Sequence, residues 1–155
     1  DAVDVPVIGA GGVADSRGMA AVFALGAQAV QMGSRFVMSE ECIAHPNYKK
    51  MVLKAKDRST VVTGRTLGHP ARVLHNKLTR KYEELEAAGA PAEELEKLCV
   101  GSLHRATHEG DVENGSVMIG EISGMLHDIK PVKAIIEDIV AGLPGVIETI
   151  QDDCR

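Results

Sequence analysis

The chain has 155 residues, of which 45% are hydrophobic and 25% are charged, and its formal net charge is −5. These values are typical of a globular protein with an ordinary core rather than of a disordered segment. The acidic balance and the low aromatic content argue against a nucleic-acid partner. No apolar run approaches the ~20 residues that a membrane span needs, so no membrane partner is expected.

The three cysteines are widely spaced and form no CxxC pair, which indicates neither a disulfide framework nor a metal site. Reduced thiols in the cytoplasm are therefore the expected state. The chain opens on Asp1 with no signal peptide, and a strand-like run follows at once. This abrupt start predicts a fragment. Basic residues between Lys49 and Arg58 are interpreted as a solvated helix face, with an anionic partner as the alternative.

The first 36 residues predict a βαβ unit with two parallel strands. A short apolar run at residues 4–8 leads into a glycine-rich turn at 9–12, as a buried parallel strand does. Asp15 or Ser16 then caps a helix that ends near Leu25. A second strand at residues 27–32 ends at another glycine turn.

After Phe36 the pattern changes to longer helices. The predicted elements are a helix from Pro46 to about residue 56, an extended segment at 59–63, helices at 70–88 and 91–107, a glycine-rich loop at 108–120, and a helix pair at 131–141 and 144–152. Because two parallel strands cannot satisfy their own edges, further strands must come from elsewhere. The predicted fold class is α/β, with the last two strands of a (β/α)8 barrel and a mostly helical annex.

Two glycine turns follow consecutive parallel strands, at Gly11-Gly12 and at Gly33-Ser34. Glycine lets backbone N–H groups approach an anion closely, and the turns after the last two barrel strands commonly hold phosphate. The pair of turns therefore predicts a phosphate site. The alternative is that they are only tight βα turns.

The chain resembles the family of nitronate monooxygenases and FMN-type enoyl-acyl-carrier-protein reductases. The resemblance is carried by blocks at residues 5–15, 25–27, 30–36 and 44–49, and by the runs at 67–72 and 76–79. The run at 110–120, Gly-Asp-Val-Glu-Asn-Gly-Ser-Val-Met-Ile-Gly, is similar to that of the reductase branch. The blocks follow one another along the whole chain.

This resemblance implies an FMN-binding barrel whose strands seven and eight lie in residues 1–36. The change of pattern at Phe36 predicts that residues 37–115 form a helical annex over the barrel mouth. Residues 116–155 are expected to hold a loop near the flavin and the C-terminal helices. The resemblance implies that the FMN phosphate is held by Gly11, Gly12, Gly33 and Ser34, and Met32 is expected to bind the cofactor beside them. The family's catalytic His lies in a motif upstream of this chain, so no catalytic residue is assigned here.

Three further residues are expected near substrate or flavin. Met118 lies in the run shared with the reductases, and His45 lies in a block of the family, where a structural role at a helix entry is the alternative. At position 121 the family usually has Gln and this chain has Glu121. The change alters hydrogen bonding if the side chain reaches the flavin and alters nothing if it faces solvent.

The predicted function is the reduction of 2-enoyl-acyl-carrier-protein thioesters in fatty-acid synthesis, with FMN as cofactor and NADH or NADPH as co-substrate. The expected partners are the acyl-carrier-protein thioester and the missing N-terminal half of the barrel, and a homodimer is left open. A nitronate monooxygenase is one alternative. A non-catalytic truncated piece is another, and the chain by itself is expected to be inactive.

Overall fold

The computed structural model describes residues 3–155, so the first two residues of the predicted segment 1–36 lie outside the described residues. In chain order the elements are β1 (Ile8–Ala10), α1 (Ser16–Ala24), β2 (Ala29–Gln31), α2 (Ser34–Val37), α3 (Pro46–Leu53), β3 (Thr60–Thr63), β4 (Ala71–Leu74), α4 (Lys77–Ala87), α5 (Ala92–Cys99), α6 (Ser102–Thr107), a 3-10 helix (Glu121–Met125) and α7 (Val132–Asp153). They form two compact units. The first unit is Asp1–Glu41 with Ile129–Arg155, and the second unit is Cys42–Asp128.

The first unit contains the predicted βαβ arrangement. Strands β1 and β2 pair in parallel, with Ile8 opposite Ala29 and Ala10 opposite Gln31, and α1 connects them. The pairing confirms the parallel crossover. The predicted position of the first strand, residues 4–8, was wrong, since β1 is Ile8–Ala10. Hydrogen bonds to β2 define the strand, and they begin only at Ile8. The prediction relied on apolar composition, which is found mainly in the residues before this ladder.

Helix α1 begins and ends where the sequence predicts. Asp15 is its N-cap, and one carboxylate oxygen accepts hydrogen bonds from the amides of Arg17 and Gly18 at 3.0 and 3.1 Å. Its C-cap is Leu25. The helix lies so close to β1 that a Cβ at Gly9 would overlap Cγ1 of Val22.

The C-terminal segment is one helix, α7, rather than the predicted pair. Pro144 lies inside it and is exposed. Proline removes one N–H and crowds the preceding turn, but the helix continues on both sides of it. Helix α7 packs on α1, and its first amide, that of Val132, donates to both carboxylate oxygens of Glu41. Packing along α1 explains why the proline does not end the helix.

The second unit contains a β-hairpin that the sequence did not predict in full. Strand β3 lies within the predicted extended segment, but residues 71–74 were predicted as the start of a helix and form β4 instead. The two strands are antiparallel, with Thr60 opposite Leu74 and Thr63 opposite Ala71. Helix α4 begins only after Asn76, whose side chain accepts from the amide of Thr79 in a reciprocal capping box. Pairing with β3 and the Asn76 cap override the amphipathic spacing that continues through β4.

The predicted helix at 91–107 is two helices, α5 and α6, separated at Gly101. Gly101 has φ +68°, a left-handed conformation that ends a helical run. Helix α3 begins at Pro46 as predicted. The second unit also includes residues 116–128, whereas α7 belongs to the first. The division into segments at residues 36 and 115 stays a prediction. Within residues 3–155, no helix combines the length and apolarity that crossing a membrane requires.

Candidate functional site

The predicted phosphate-binding turns lie at the same edge of the β1–β2 sheet. Gly11 directly follows β1, and Gly33 follows Met32 after β2. Because Ala10 and Gln31 are paired in a parallel ladder, the two turns leave the sheet side by side. The first unit therefore brings together the glycine turns that the sequence singled out.

The glycine positions in these turns have open space beside them. Gly11 and Gly12 have φ values of +89° and +73°, so a side chain at either position would strain the backbone. Gly33 has φ −95°, which any residue adopts, and a Cβ there would meet no atom within 4 Å. Neither backbone conformation nor packing within the first unit requires glycine at 33. The open space beside the two turns leaves room for an anion to approach the backbone closely, so the residues fit a bound phosphate.

The amides at the start of α1 already have a partner. The carboxylate of Asp15 accepts hydrogen bonds from two of these amides, those of Arg17 and Gly18. It also accepts hydrogen bonds from Nε and Nη2 of the Arg17 side chain at 2.9 and 2.6 Å. Partial burial raises the pKa of Asp15, but the hydrogen bonds from Arg17 and Gly18 outweigh burial and hold the pKa below its usual value. An anion at this edge would therefore use the turns that follow the strands rather than the first turn of α1.

Met118 lies in the second unit, in a segment that pairs with the hairpin. It forms an antiparallel bridge with Val73, and its carbonyl accepts a hydrogen bond from the hydroxyl of Tyr48. Tyr48 is 3% exposed, and burial raises the pKa of its hydroxyl, with a further contribution from the nearby Cys42. The buried tyrosine fixes the backbone at Met118, while the Met118 side chain remains 41% exposed.

His45 has a structural role at the start of α3. Its Nδ1 accepts a hydrogen bond from the amide of Asn47 at 3.1 Å, and its ring packs so closely on Gly110 that a Cβ there would overlap it. Asn47 in turn donates to the carbonyl of Gly110 at 3.1 Å. The glycine-rich loop therefore closely approaches this chain's own helix entry. Contact between His45 and a substrate stays a prediction.

Glu121 is exposed at the start of the 3-10 helix. Its side chain is 72% exposed and lies 3.6 Å from the guanidinium of Arg72, which also donates to Thr60 Oγ1 at 2.9 Å. At such exposure the ion pair contributes little to stability. Contact of Glu121 with a flavin stays a prediction.

An apolar cavity of about 490 Å³ in the second unit has Met118 in its wall. The hairpin supplies Leu67 and Ala71, and the α5–α6 junction supplies Cys99 and Leu103. Partial burial raises the pKa of the Cys99 thiol. This cavity could not be predicted from the sequence, because its wall depends on β4, whose residues were predicted to be helical.

Comparison with known proteins identifies the family. A family model for nitronate monooxygenase matches residues 1–142. A probable nitronate monooxygenase from Bacillus subtilis is 33% identical over 139 residues, which are 90% of this chain and 40% of that protein. One from Staphylococcus saprophyticus is 41% identical over 86 residues, 56% of this chain and 24% of that protein.

Two solved structures are similar over nearly the whole chain. FabK from Thermotoga maritima superposes with a TM-score of 0.92 at 53% identity and covers 97% of this chain and 48% of that chain. Nitroalkane oxidase from Streptomyces ansochromogenes superposes with a TM-score of 0.77 at 28% identity and covers 96% of this chain and 42% of that chain. The chain thus spans less than half the length of these proteins. It belongs to the nitronate monooxygenase family.

Proposed function

We propose that this chain is the phosphate-binding part of an FMN-dependent (β/α)8-barrel oxidoreductase that reduces 2-enoyl-acyl-carrier-protein thioesters. The observation that carries the proposal is the pair of open glycine turns at one edge of the parallel β1–β2 sheet. In barrels, phosphate is commonly held by the loops after the last two strands. The backbone N–H groups of Gly11, Gly12 and Gly33 and the hydroxyl of Ser34 would hold the FMN phosphate, with Met32 beside them.

Bound FMN supplies hydride transfer from NADH or NADPH to the double bond of the thioester. The residues of this chain would bind and orient the flavin, and they would exclude water from it. In the second unit the cavity with Met118 in its wall has a mainly apolar surface, although Thr63, His69 and Glu96 also line it, and its volume suits a hydrocarbon segment of the substrate. The remaining barrel strands and the catalytic His would come from the upstream half, and we propose no proton-transfer role for the residues of this chain.

Greater similarity to FabK, a type II enoyl-acyl-carrier-protein reductase, favours the reductase over the monooxygenase. The run at 110–120 also resembles the reductase branch. Nitronate oxidation remains the second candidate because the family model and the curated relatives carry that name. Stopped-flow mixing of the full-length protein with NADH or NADPH separates the two. A reductase is expected to bleach its flavin rapidly, and slow or absent bleaching would overturn the reductase proposal.

Replacing Gly33 with Val in the full-length protein tests the phosphate site. The side chain would project into the open space beside the turn and block approach of the phosphate to the backbone. We expect the FMN dissociation constant to rise at least about tenfold, which corresponds to about 1.4 kcal/mol. Fluorescence titration of the apoprotein with FMN measures it.

The matched control is Gly145→Val, since Gly145 in α7 also has open space beside it and does not have a positive φ. This control is expected to bind FMN normally. Unchanged FMN affinity in Gly33→Val, with both variants folded by circular dichroism, would contradict the placement.

A further inference from the structure

Two histidines lie one helical turn apart at the end of α6. His104 is within the helix and His108 is its C-cap, and the amide of His108 donates to the carbonyl of His104 at 2.8 Å. Their rings stack with centroids 4.5 Å apart and an angle of 3° between the planes. The two imidazoles therefore project together from one face of the helix.

The hydrogen bond of the His104 ring determines which of its nitrogens carries the proton. Nδ1 of His104 lies 3.3 Å from Oε1 of Glu109. An ionised carboxylate can only accept a hydrogen bond, so Nδ1 carries the proton. In the neutral ring, Nε2 of His104 is then left with its lone pair.

The His108 ring also carries its proton on Nδ1, but a different hydrogen bond places it there. The hydroxyl of Thr107 lies 2.8 Å from the carbonyl of Leu103 and 2.8 Å from Nδ1 of His108. A carbonyl only accepts, so the single hydroxyl proton is directed to Leu103, and Nδ1 of His108 must donate to the hydroxyl oxygen. Nε2 of His108 is therefore also left with its lone pair.

We propose that His104 and His108 form a two-imidazole chelating site for a divalent transition-metal ion of the zinc, nickel and copper class. Imidazole nitrogen suits these cations, and a ligating His typically donates its other N–H to a carboxylate or another acceptor, as both rings do here. The cation would also lie at the C-terminal end of α6, where the helix dipole favours positive charge. This site is independent of the proposed flavin chemistry.

The coordination geometry requires only side-chain movement. Two Zn–N bonds of about 2.0–2.1 Å at a tetrahedral angle hold their nitrogens about 3.3 Å apart. The parallel stacked rings do not aim both Nε2 atoms at one point, so binding requires small rotations of these two exposed side chains that keep Nδ1 of each ring on its acceptor. Among the residues that the structure describes, no three His, Cys, Asp or Glu side chains are grouped to hold a metal. Water would complete the coordination.

Isothermal titration of the full-length protein with ZnCl2 tests the proposal. The variants are His104→Ala, His108→Ala and the double variant, and the matched control is His127→Ala, another exposed histidine of the second unit. Each single variant is expected to weaken the site at least about tenfold, and the double variant to lose less affinity than the sum of the two single losses, because either missing imidazole already breaks the chelate. His127→Ala is expected to bind zinc as the parent protein does.

Circular dichroism of each variant checks folding, and full retention of fold is expected because these side chains are exposed. If the singles match His127→Ala, or if the two losses add independently in the double variant, zinc binds to separate histidines and the chelate is overturned.

Discussion

At the scale of single residues, the glycines of the first unit differ in what a side chain would meet. At Gly33 a Cβ would enter open space, whereas at Gly9 it would overlap Val22 on α1. The sequence shows the same residue at both positions. Only the packed structure separates a glycine that allows helix–strand contact from one that leaves room for a ligand.

Gly9→Ala in the full-length protein is expected to destabilise the fold by about 1–3 kcal/mol, because either Val22 must leave its rotamer or α1 must move away from β1 to admit the methyl group. Urea denaturation followed by circular dichroism measures the change. Val22→Ala removes the overlapping atom, so the double variant should lose less stability than the sum of the two single variants. Strict additivity would show that the Gly9–Val22 contact is not the cause. Gly145→Ala serves as the control, because Gly145 has open space beside it and no positive φ, and no loss of stability is expected.

At the scale of elements, Asn76 connects a helix to the glycine-rich loop. The residue is 4% exposed and caps α4 through the amide of Thr79. Its amide nitrogen donates to the carbonyls of Val112 and Gly115 at 2.8 and 2.7 Å. One side chain therefore sets both the start of α4 and the position of the run that resembles the reductases.

Asn76→Ala in the full-length protein is expected to lower the free energy of unfolding by about 2–4 kcal/mol. About 1 kcal/mol of this comes from the lost helix cap, and the rest comes from two carbonyls left without their donor. Asn76→Ser keeps a capping oxygen, but its side chain is too short to reach both carbonyls. The Ser variant should therefore be about 1 kcal/mol more stable than the Ala variant. Urea midpoints compare the variants. Equal stability of the Ala variant and the parent protein would contradict the connecting role.

At the scale of the whole molecule, the first unit exposes apolar residues around its short parallel sheet. Val5, Val7 and Ile8 are 65%, 44% and 60% exposed. In the described residues the sheet has only two strands, so each of them has one edge without a neighbour. Strands of a closed barrel have no free edges and are covered on both faces.

The 155 residues expressed alone are therefore expected neither to fold cooperatively nor to reduce enoyl thioesters. Thermal melting by circular dichroism, with and without FMN, measures the first point, and a thioester reduction assay measures the second. Addition of the upstream half as a separate chain is expected to sharpen the transition, because it would supply the strands that pair with β1 and β2. A sharp two-state transition of the isolated chain, with stoichiometric FMN, would overturn the partial-barrel proposal.

Local signals in the sequence determined much of the first unit. Asp15, one of the two predicted N-caps, and Leu25 bound α1, and the two glycine turns follow parallel strands as predicted. These features depend on short-range chemistry: a capping carboxylate, a left-handed glycine and a short apolar run. The sequence also carried the family resemblance.

Only the tertiary structure decided the remaining features. Residues 71–74 have helical spacing but form β4, because β3 offers a hydrogen-bonded partner far along the chain. Pro144 does not end α7, because α7 packs along α1. The wall of the cavity behind Met118 joins the hairpin to the α5–α6 junction, which lies about thirty residues further on. Pairing partners and packing surfaces distant in sequence set these outcomes, and local propensity does not contain them.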